Sequence, residues 1–268
     1  MSFVPQTTSI TVAALYMYPM KSCRGQALSY AVMDRWGFRH DRAFMLVHPN
    51  GDFVLRSEYP RMVLIDVFVE DSFLRLQAPG MSPLQVECKL SGLPVEVTAW
   101  SNRYEAIDQG DYVADWFSTF LGTACRLVRI ANTCKHPTFG YDQGNFVDNA
   151  PFLLISESSL IDLNNRLAKP APMLRFRPNI VLHGAPPYAE DGWRRIRIGE
   201  YLFEIVEARQ RCMMTTIDPD TATISKEPLR TLATYHRGPS RHALFGQYLV
   251  HHQSGTIHIG DPVEILAV

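Results

Sequence analysis

The first clear structural signal in this 268-residue chain is AFMLVHPNGDFVL, residues 43–55. Two β-prone apolar runs, Ala43–Val47 and Phe53–Leu55, flank the segment His48–Asp52. That segment holds Pro, Asn and Gly, which are the residues that tight turns favour. The pattern therefore predicts a β-hairpin.

Similar short runs recur on both sides of this hairpin. Near the N-terminus, apolar residues occupy alternate positions from Ile10 to Tyr16, and Pro19 ends the run. Further β-prone runs between Gly and Pro breakers are Met62–Val69, Phe73–Leu76, Leu84–Cys88, Pro94–Trp100, Asn179–Leu182, Arg195–Ile198, Tyr201–Val206, Tyr248–Val250, Gly255–Ile259 and Pro262–Leu266. Many short strands at close spacing predict a barrel or a sandwich.

Two helices are predicted between these groups of strands. Over residues 111–122, apolar side chains recur at the three- and four-residue spacing of one helix face. A second helix is predicted over Glu157–Ala168, where Ser156 supplies a cap and Pro170 a stop. The chain is therefore expected to be mainly β with a few helices, an α+β protein.

The polar, Gly-containing residues 126–149 are predicted to form a linker or a long loop. We accordingly expect two closely associated domains, residues 1–125 and residues 126–268.

Composition excludes several classes of protein. The chain has 26 basic and 27 acidic residues and no basic arm, which disfavours nucleic-acid binding. It has neither an apolar run of about 18–20 residues nor a secretory signal pattern, so no membrane span is expected. Five cysteines at irregular spacing disfavour a disulfide framework and favour a cytoplasmic location.

The common catalytic signatures are absent from the sequence. There is no phosphate-binding P-loop, dinucleotide fingerprint, zinc-protease motif, nucleophile elbow or C-x-x-C pair. Cys125, Cys134 and His136 are three potential zinc ligands in one part of the sequence. Their irregular spacing and the lack of a fourth ligand favour a structural interpretation.

The segment RQRCMMTTIDPDT, residues 209–221, is more informative. Arg209 and Arg211 accompany Cys212, and cationic neighbours favour the thiolate that binds metals or attacks electrophiles. The alternative is that Cys212 is a packing residue, as buried free cysteines often are. The residues Asp218–Thr221 fit a tight turn after the cysteine.

Two further segments hold candidate donor groups. Arg177 and Asn179 flank Pro178 at the start of a predicted strand, where they either bind a ligand or are solvated. Lys21 and Ser22 follow the first strand, where they either bind an anion or belong to a plain loop.

Ten sequence blocks in order resemble the MOSC superfamily, the molybdenum-cofactor sulfurase C-terminal fold. Within it, the chain is similar to the amidoxime-reducing components and the bacterial YcbX-type proteins. The blocks are YPMKSC (18–23), DRAFMLV (41–47), PFLLISE (151–157), LNNRL (163–167), FRPNIV (176–181), YAED (188–191), RCMMTTIDPDT (211–221), KEPL (226–229), LFGQY (244–248) and IGDPV (259–263). Each block alone is weak, but ten in order over nearly the whole chain are specific.

The resemblance implies a MOSC β-barrel joined to an N-terminal β-barrel-like domain, and a molybdopterin cofactor whose molybdenum is bound by Cys212. The residues that match the family's cofactor contacts are Lys21, Ser22, Arg42, Asp148, Asn149, Arg177, Asn179, Gln210, Arg211 and Tyr248. Gln210 departs from relatives that have serine there.

The resemblance further implies a molybdenum-containing oxidoreductase that reduces small N-hydroxylated compounds, such as amidoximes, hydroxylamines and N-hydroxylated bases. Cys212 is the expected catalytic metal ligand, and Asp148 is a candidate for proton delivery. No membrane anchor or ferredoxin-like tail is recognised, so electrons are expected from a separate flavoprotein reductase, ferredoxin or cytochrome b5-type protein. The alternatives are a sulfurtransferase with Cys212 as persulfide carrier, and a non-catalytic protein that binds the cofactor.

Overall fold

The computed structural model describes residues 9–70, 72–131 and 145–268. Strands dominate these residues, which confirms the mainly β prediction. The strands of the first half are β1 (Thr11–Met17), β2 (Gln26–Leu28), β3 (Tyr30–Asp34), β4 (Gly37–Phe38), β5 (Phe44–Val47), β6 (Asp66–Glu70), β7 (Phe73–Gln77), β8 (Leu84–Glu87), β9 (Pro94–Ala99), β10 (Asn102–Asp108) and β11 (Arg126–Ile130). Those of the second half are β12 (Phe152–Ser156), β13 (Ile180–His183), β14 (Arg195–Ile198), β15 (Tyr201–Gln210), β16 (Leu244–His251), β17 (Gly255–His258) and β18 (Val263–Ala267).

The described residues contain three α-helices, α1 (Asp111–Leu121), α2 (Glu157–Asn164) and α3 (Leu229–Tyr235). The Ser156 hydroxyl accepts a hydrogen bond from the Ser159 amide and caps α2 as predicted. Helix α2 ends at Asn164, four residues early, because the Asn164 side chain bonds both backbone groups of Ala171 instead. These helices are all too short or too polar to span a membrane.

The largest sheet has eight strands in the order β18-β14-β15-β16-β12-β13-β1-β2. Strands β12 and β13 run parallel, and the other neighbours run antiparallel. The sheet curls, because β1 also bonds the segment before β18. The Val12 amide donates to the Asp261 carbonyl at 3.0 Å, and the Val263 amide to the Ile10 carbonyl at 2.8 Å. This curl gives the second half of the chain a barrel-like interior.

A second sheet, in the order β5-β11-β10-β9, belongs to the first half of the chain. Residues 126–130 form its strand β11 beside β5, so the linker prediction is wrong for them. Their apolar and Arg residues alternate poorly, and it is the pairing with β5 and β10 that shows them to be a strand. Residues 132–144 of the predicted linker lie outside the described part of the chain.

Both large sheets contain strands from both predicted domains, since β11 of the second sheet lies after residue 125. Strands β1 and β2 belong to the eight-stranded sheet, and β3 pairs with β17. The division between residues 125 and 126 stays a prediction.

The predicted strand Met62–Val69 is partly wrong. Residues 60–64 form a 3₁₀ turn that begins at Pro60, and the strand starts only at Asp66. Proline at the first position of a helical turn has the required backbone angle already fixed, which favours the turn.

Two apolar cores support these sheets. In the eight-stranded sheet, the Phe152 ring lies 5.0 Å from Phe38 and 5.5 Å from Phe203, both edge-to-face. In the first half of the chain, α1 packs on β8 and β11, and its apolar face, which includes Phe117 and Phe120, belongs to one core with residues of β5, β6 and β7.

Strand β15 is longer than predicted and reaches Gln210 instead of Val206. Its register with β16 shifts twice, between Ile205 and Glu207 and between Ala208 and Gln210. Such bulges twist a strand and redirect its side chains. They bring the end of β15, directly before Cys212, to the rim of the sheet.

Gly246 in β16 tests this packing. It has φ +81°, and a Cβ there would lie 2.7 Å from the Leu154 carbonyl oxygen and 2.6 Å from an Ile155 side-chain carbon. We expect Gly246→Ala to lower the free energy of unfolding by roughly 2–3 kcal/mol through strain and overpacking. The matched control is Gly192→Ala, where a Cβ meets nothing within 4 Å. Urea unfolding of both variants is the measurement, and equal losses would contradict the described packing.

Candidate functional site

Most of the predicted site residues come from loops that meet at one end of the eight-stranded sheet, while Gln210 and Tyr248 belong to its strands β15 and β16. These loops follow β1, precede β5, β12 and β13, and follow β15. Proline at positions 19 and 178 interrupts the strand ladders there, because proline has no amide donor. The chain thus brings segments distant in sequence to one place.

Tyr18 lies at the centre of this site and is fully buried. The guanidinium of Arg42 lies 4.5 Å from the centre of its ring, and that of Arg177 lies 4.2 Å away. Both contacts are cation–π interactions. The Tyr18 hydroxyl donates to the Pro178 carbonyl at 3.0 Å, and its amide donates to an Asp41 carboxylate oxygen at 2.7 Å. Tyr18 therefore fixes two of the predicted cofactor contacts.

Arg42 is held by the protein from several directions. It has a left-handed backbone, φ +50°, and its guanidinium donates to the Asp41 carboxylate and, at 2.9 Å, to Asn179 Oδ1. The Asn179 amide group donates to the Tyr16 carbonyl at 3.2 Å, and Asn179 Oδ1 also accepts from the Leu153 amide at 3.3 Å. The Asn179 side chain therefore positions Arg42.

Lys21, Asp148 and Arg209 form a chain of charges. Lys21 Nζ lies 2.6 Å from one Asp148 carboxylate oxygen, and Arg209 Nη2 lies 2.9 Å from the other. Burial alone raises the pKa of Asp148, but these two cations outweigh burial and hold the pKa well below its usual range. Burial lowers the pKa of Lys21, against the effect of Asp148. Asp148 is therefore ionised at neutral pH.

Two more arginines have few acceptors, and of these Arg211 is buried and Arg177 is half-buried. Burial, together with neighbouring arginines, lowers the pKa of Arg177 and of Arg211 to about 9 each. Arg177 donates to the Cys23 carbonyl. Arg211 donates through Nε to the Phe245 carbonyl at 2.9 Å and through Nη1 to the Phe176 carbonyl at 3.0 Å. Its buried Nη2 has no hydrogen-bond partner within the described residues.

Cys212 is exposed, whereas Cys23, Cys88 and Cys125 are buried. The alternative that Cys212 is a packing residue is therefore wrong. Its thiol interacts electrostatically with Arg209 and Arg211, as the sequence suggested.

The loop that follows Cys212 is held firmly. The predicted turn forms at residues 218–221, where one Asp218 oxygen accepts from the amides of Asp220 and Thr221 at 3.0 and 3.1 Å. The other oxygen pairs with Arg175 at 2.6 Å, and both side chains are mostly buried. Arg24 donates to the Pro219 carbonyl at 2.5 Å. These contacts fix the chain on the C-terminal side of Cys212.

Sequence reasoning missed Arg56, which follows the predicted hairpin. Its side chain is buried, and Nη2 donates to the Met214 carbonyl at 2.9 Å, two residues after Cys212. Among the residues that the structure describes, its buried Nε has no hydrogen-bond partner, and its charge interacts with Cys212. No local pattern distinguishes this arginine from a surface one. Asp41, which is fully buried beside Arg42, was missed for the same reason.

The other predicted site residues differ in their placement. Ser22 has φ +74° and is half-buried beside Lys21, and Asn149 donates to Glu207 at 3.4 Å. Gln210 is exposed at the end of β15, and Tyr248 is buried with the Arg209 guanidinium 5.0 Å above its ring. Their roles as cofactor contacts stay predictions.

Of the zinc set considered from the sequence, only Cys125 lies within the described residues, so the structural interpretation of that set stays a prediction. Cys125 is buried beside Ser118, and Cys134 and His136 lie outside the described residues. Among the described residues, no cluster of three or more His, Cys, Asp or Glu side chains could hold a metal ion.

The site as a whole has an excess of positive charge. Its cations are Lys21, Arg42, Arg56, Arg177, Arg209 and Arg211, and its carboxylates are Asp41 and Asp148. Guanidinium groups bind phosphate in two-pronged, charge-assisted hydrogen bonds. The excess charge, together with the unpartnered N–H groups of Arg56 and Arg211, fits a multiply charged anionic ligand such as a pterin phosphate.

Comparison with known proteins agrees with this geometry. The chain matches the MOSC N-terminal beta barrel domain over residues 9–124 and the MOSC domain over residues 142–264. Mitochondrial amidoxime-reducing component 1 of Mus musculus is 38% identical over 96% of this chain and 82% of its own length. The Homo sapiens protein of that name is 36% identical, over 96% of this chain and 83% of its own length. The Danio rerio protein of that name is 33% identical, over 94% of this chain and 83% of its own length.

The charge on Asp148 gives a pH-dependent prediction. We expect Asp148→Asn to lower the free energy of unfolding by about 1 kcal/mol at neutral pH. The effect is modest because solvent screens a side chain that is 40% exposed. The folded-state pKa lies below the unfolded value of about 3.9, so the stabilisation is present above that value and is lost as pH falls towards the folded pKa.

Urea unfolding of both proteins between pH 3 and pH 7 measures this effect. The difference should be constant above about pH 5 and should narrow towards pH 3. A difference that is independent of pH would show that the Asp148 charge is not its cause.

Proposed function

This chain belongs to the family of MOSC-domain proteins that includes the mitochondrial amidoxime-reducing components, and we propose that it is a molybdenum-cofactor-dependent reductase of N-hydroxylated compounds. The single observation that carries the proposal is the exposed Cys212 thiol beside buried, incompletely paired arginines. A thiol in this setting suits a soft metal, and the arginines suit the charged tail of a pterin.

Each group of residues has a proposed part in holding the cofactor. Cys212 would bind the molybdenum as thiolate, and the guanidiniums of Arg42, Arg177 and Arg211 would hold the molybdopterin phosphate. When bound, the molybdenum supplies the two-electron chemistry that removes the oxygen of an N–OH group. The polypeptide contributes binding, orientation and charge.

Asp148 has a positioning role in this proposal. Since its carboxylate is ionised at neutral pH, it does not suit a resting proton donor. It instead fixes the Lys21 ammonium and the Arg209 guanidinium beside the metal ligand. The Lys21 ammonium, whose pKa burial lowers, is the better proton donor of the pair.

Electrons are proposed to come from a separate flavoprotein reductase, ferredoxin or cytochrome b5-type protein. Cys212 and Met213 are both exposed, so a protein can approach the metal ligand from solvent. Small N-hydroxylated substrates would reach the site by the same face.

The alternatives explain less of the site. A persulfide carrier needs an exposed thiol, but a persulfide has a single negative charge and does not offset several buried cations. A non-catalytic cofactor-binding protein would show the same cations, and only a failure to reduce any N-hydroxylated substrate would identify it.

Removal of the proposed metal ligand tests the assignment. We expect Cys212→Ala to abolish reduction of benzamidoxime by reduced methyl viologen, because the metal loses its only protein ligand. The matched control is Cys88→Ala, which should retain activity because Cys88 is buried in the core beneath α1. Full activity of folded Cys212→Ala would contradict the proposal.

Arg56 gives a second test, with cofactor content as the readout. We expect Arg56→Met to purify with several-fold less pterin than the unchanged protein, because a charged hydrogen bond contributes about 1.5–3 kcal/mol. Arg195→Met is the control, since Arg195 is an exposed arginine paired with Glu204 on β14 and β15. Equal pterin contents in the two variants would exclude Arg56 from the cofactor site.

A further inference from the structure

A second basic pocket lies beside the cofactor site. It has a volume of about 320 Å³, and the groups that give it its charge are Asp34, Arg35, Arg39, His40 and Arg129. The turn of residues 39–43 serves both places. Its Asp41 and Arg42 belong to the cofactor site, and its Arg39 and His40 line the second pocket.

Among its described lining residues, the pocket has more positive than negative charge. Three arginines line it against one carboxylate, Asp34, which already accepts a hydrogen bond from the Trp36 amide at 2.9 Å. Within the described residues, neither Arg39 nor Arg129 has an ion pair or a side-chain hydrogen bond.

Arg129 is the least exposed of the three arginines that line the pocket. It lies on β11 and is half-buried, and burial lowers the pKa of its guanidinium. Removing a charge from water costs free energy unless an opposite charge or hydrogen-bond acceptors compensate. An anion in the pocket would supply that compensation.

His40 adds a second feature. Its backbone is left-handed, φ +69°, a conformation that costs free energy in residues other than glycine and is often found at ligand sites. Burial lowers the pKa of its imidazole, and Arg129 and Arg39 lower it further, against Asp34. His40 therefore lies on the pocket wall together with both arginines.

We propose that this pocket binds the phosphate group of a small phosphate ester, as a site distinct from the cofactor site. The guanidiniums of Arg39 and Arg129, which line one pocket, can form charge-assisted hydrogen bonds to the oxygens of a phosphate dianion. A volume near the lower end of ligand sites leaves room for a small organic group beside the phosphate and points to a small molecule as the occupant.

Calorimetric titration of the cofactor-loaded protein tests the proposal, because the cofactor then occupies the other anion site. The probes are inorganic phosphate, phenyl phosphate and malonate. We expect saturable binding of both phosphates, with malonate weaker. Arg129→Met should weaken phosphate binding about tenfold or more, as expected for loss of a charged hydrogen bond.

A second pocket variant and one control variant accompany this measurement. Arg39→Met, at an exposed side chain whose loss leaves the packing intact, should also weaken binding. Arg75→Met, a partly exposed arginine on β7 outside the pocket, should bind phosphate like the unchanged protein. Absence of saturable binding, tighter binding of malonate, or equal affinities in the Arg129, Arg39 and Arg75 variants would each overturn the proposal.

Discussion

The arrangement of this molecule depends on positive charge that is buried and only partly neutralised. Six cations surround Tyr18 and the Cys212 segment, while two carboxylates, Asp41 and Asp148, lie among them. Such charges repel one another and lose hydration, which is why burial lowers the pKa of Arg177 and Arg211. A fold keeps this arrangement only if the surrounding strands hold the side chains rigidly and a ligand supplies negative charge.

The strands supply that rigidity through polar contacts that span the sequence. Asn179 joins β1, β12 and the Arg42 guanidinium, and the Tyr18 hydroxyl reaches the Pro178 carbonyl. The bulges of β15 place Cys212 at the rim, where the thiol stays exposed while its arginine neighbours turn inward. An exposed thiol and largely buried cations therefore lie close together at this rim.

Local sequence signals identified the turn at residues 48–52, most of the strands and the cap of α2. The second arm of the predicted hairpin, Phe53–Leu55, forms only an isolated bridge to β5 and no strand. The resemblance identified Cys212 and its neighbours. Sequence could not show that residues 126–130 pair with β5, since that pairing joins segments some eighty residues apart. It could not show that the Arg56 guanidinium donates a hydrogen bond to the Met214 carbonyl, or that Asn179 Oδ1 accepts one from Arg42. Each of these depends on long-range contacts that leave no local pattern.

The central claim is that the charged seat around Cys212 holds a molybdenum cofactor. Its most direct test is molybdenum and pterin analysis of the unchanged protein, freshly purified from a host that makes the cofactor. The account predicts molybdenum and pterin in equal molar amounts, both close to the amount of protein. Folded protein that contains neither, from cells in which another molybdenum enzyme is fully loaded, would contradict it.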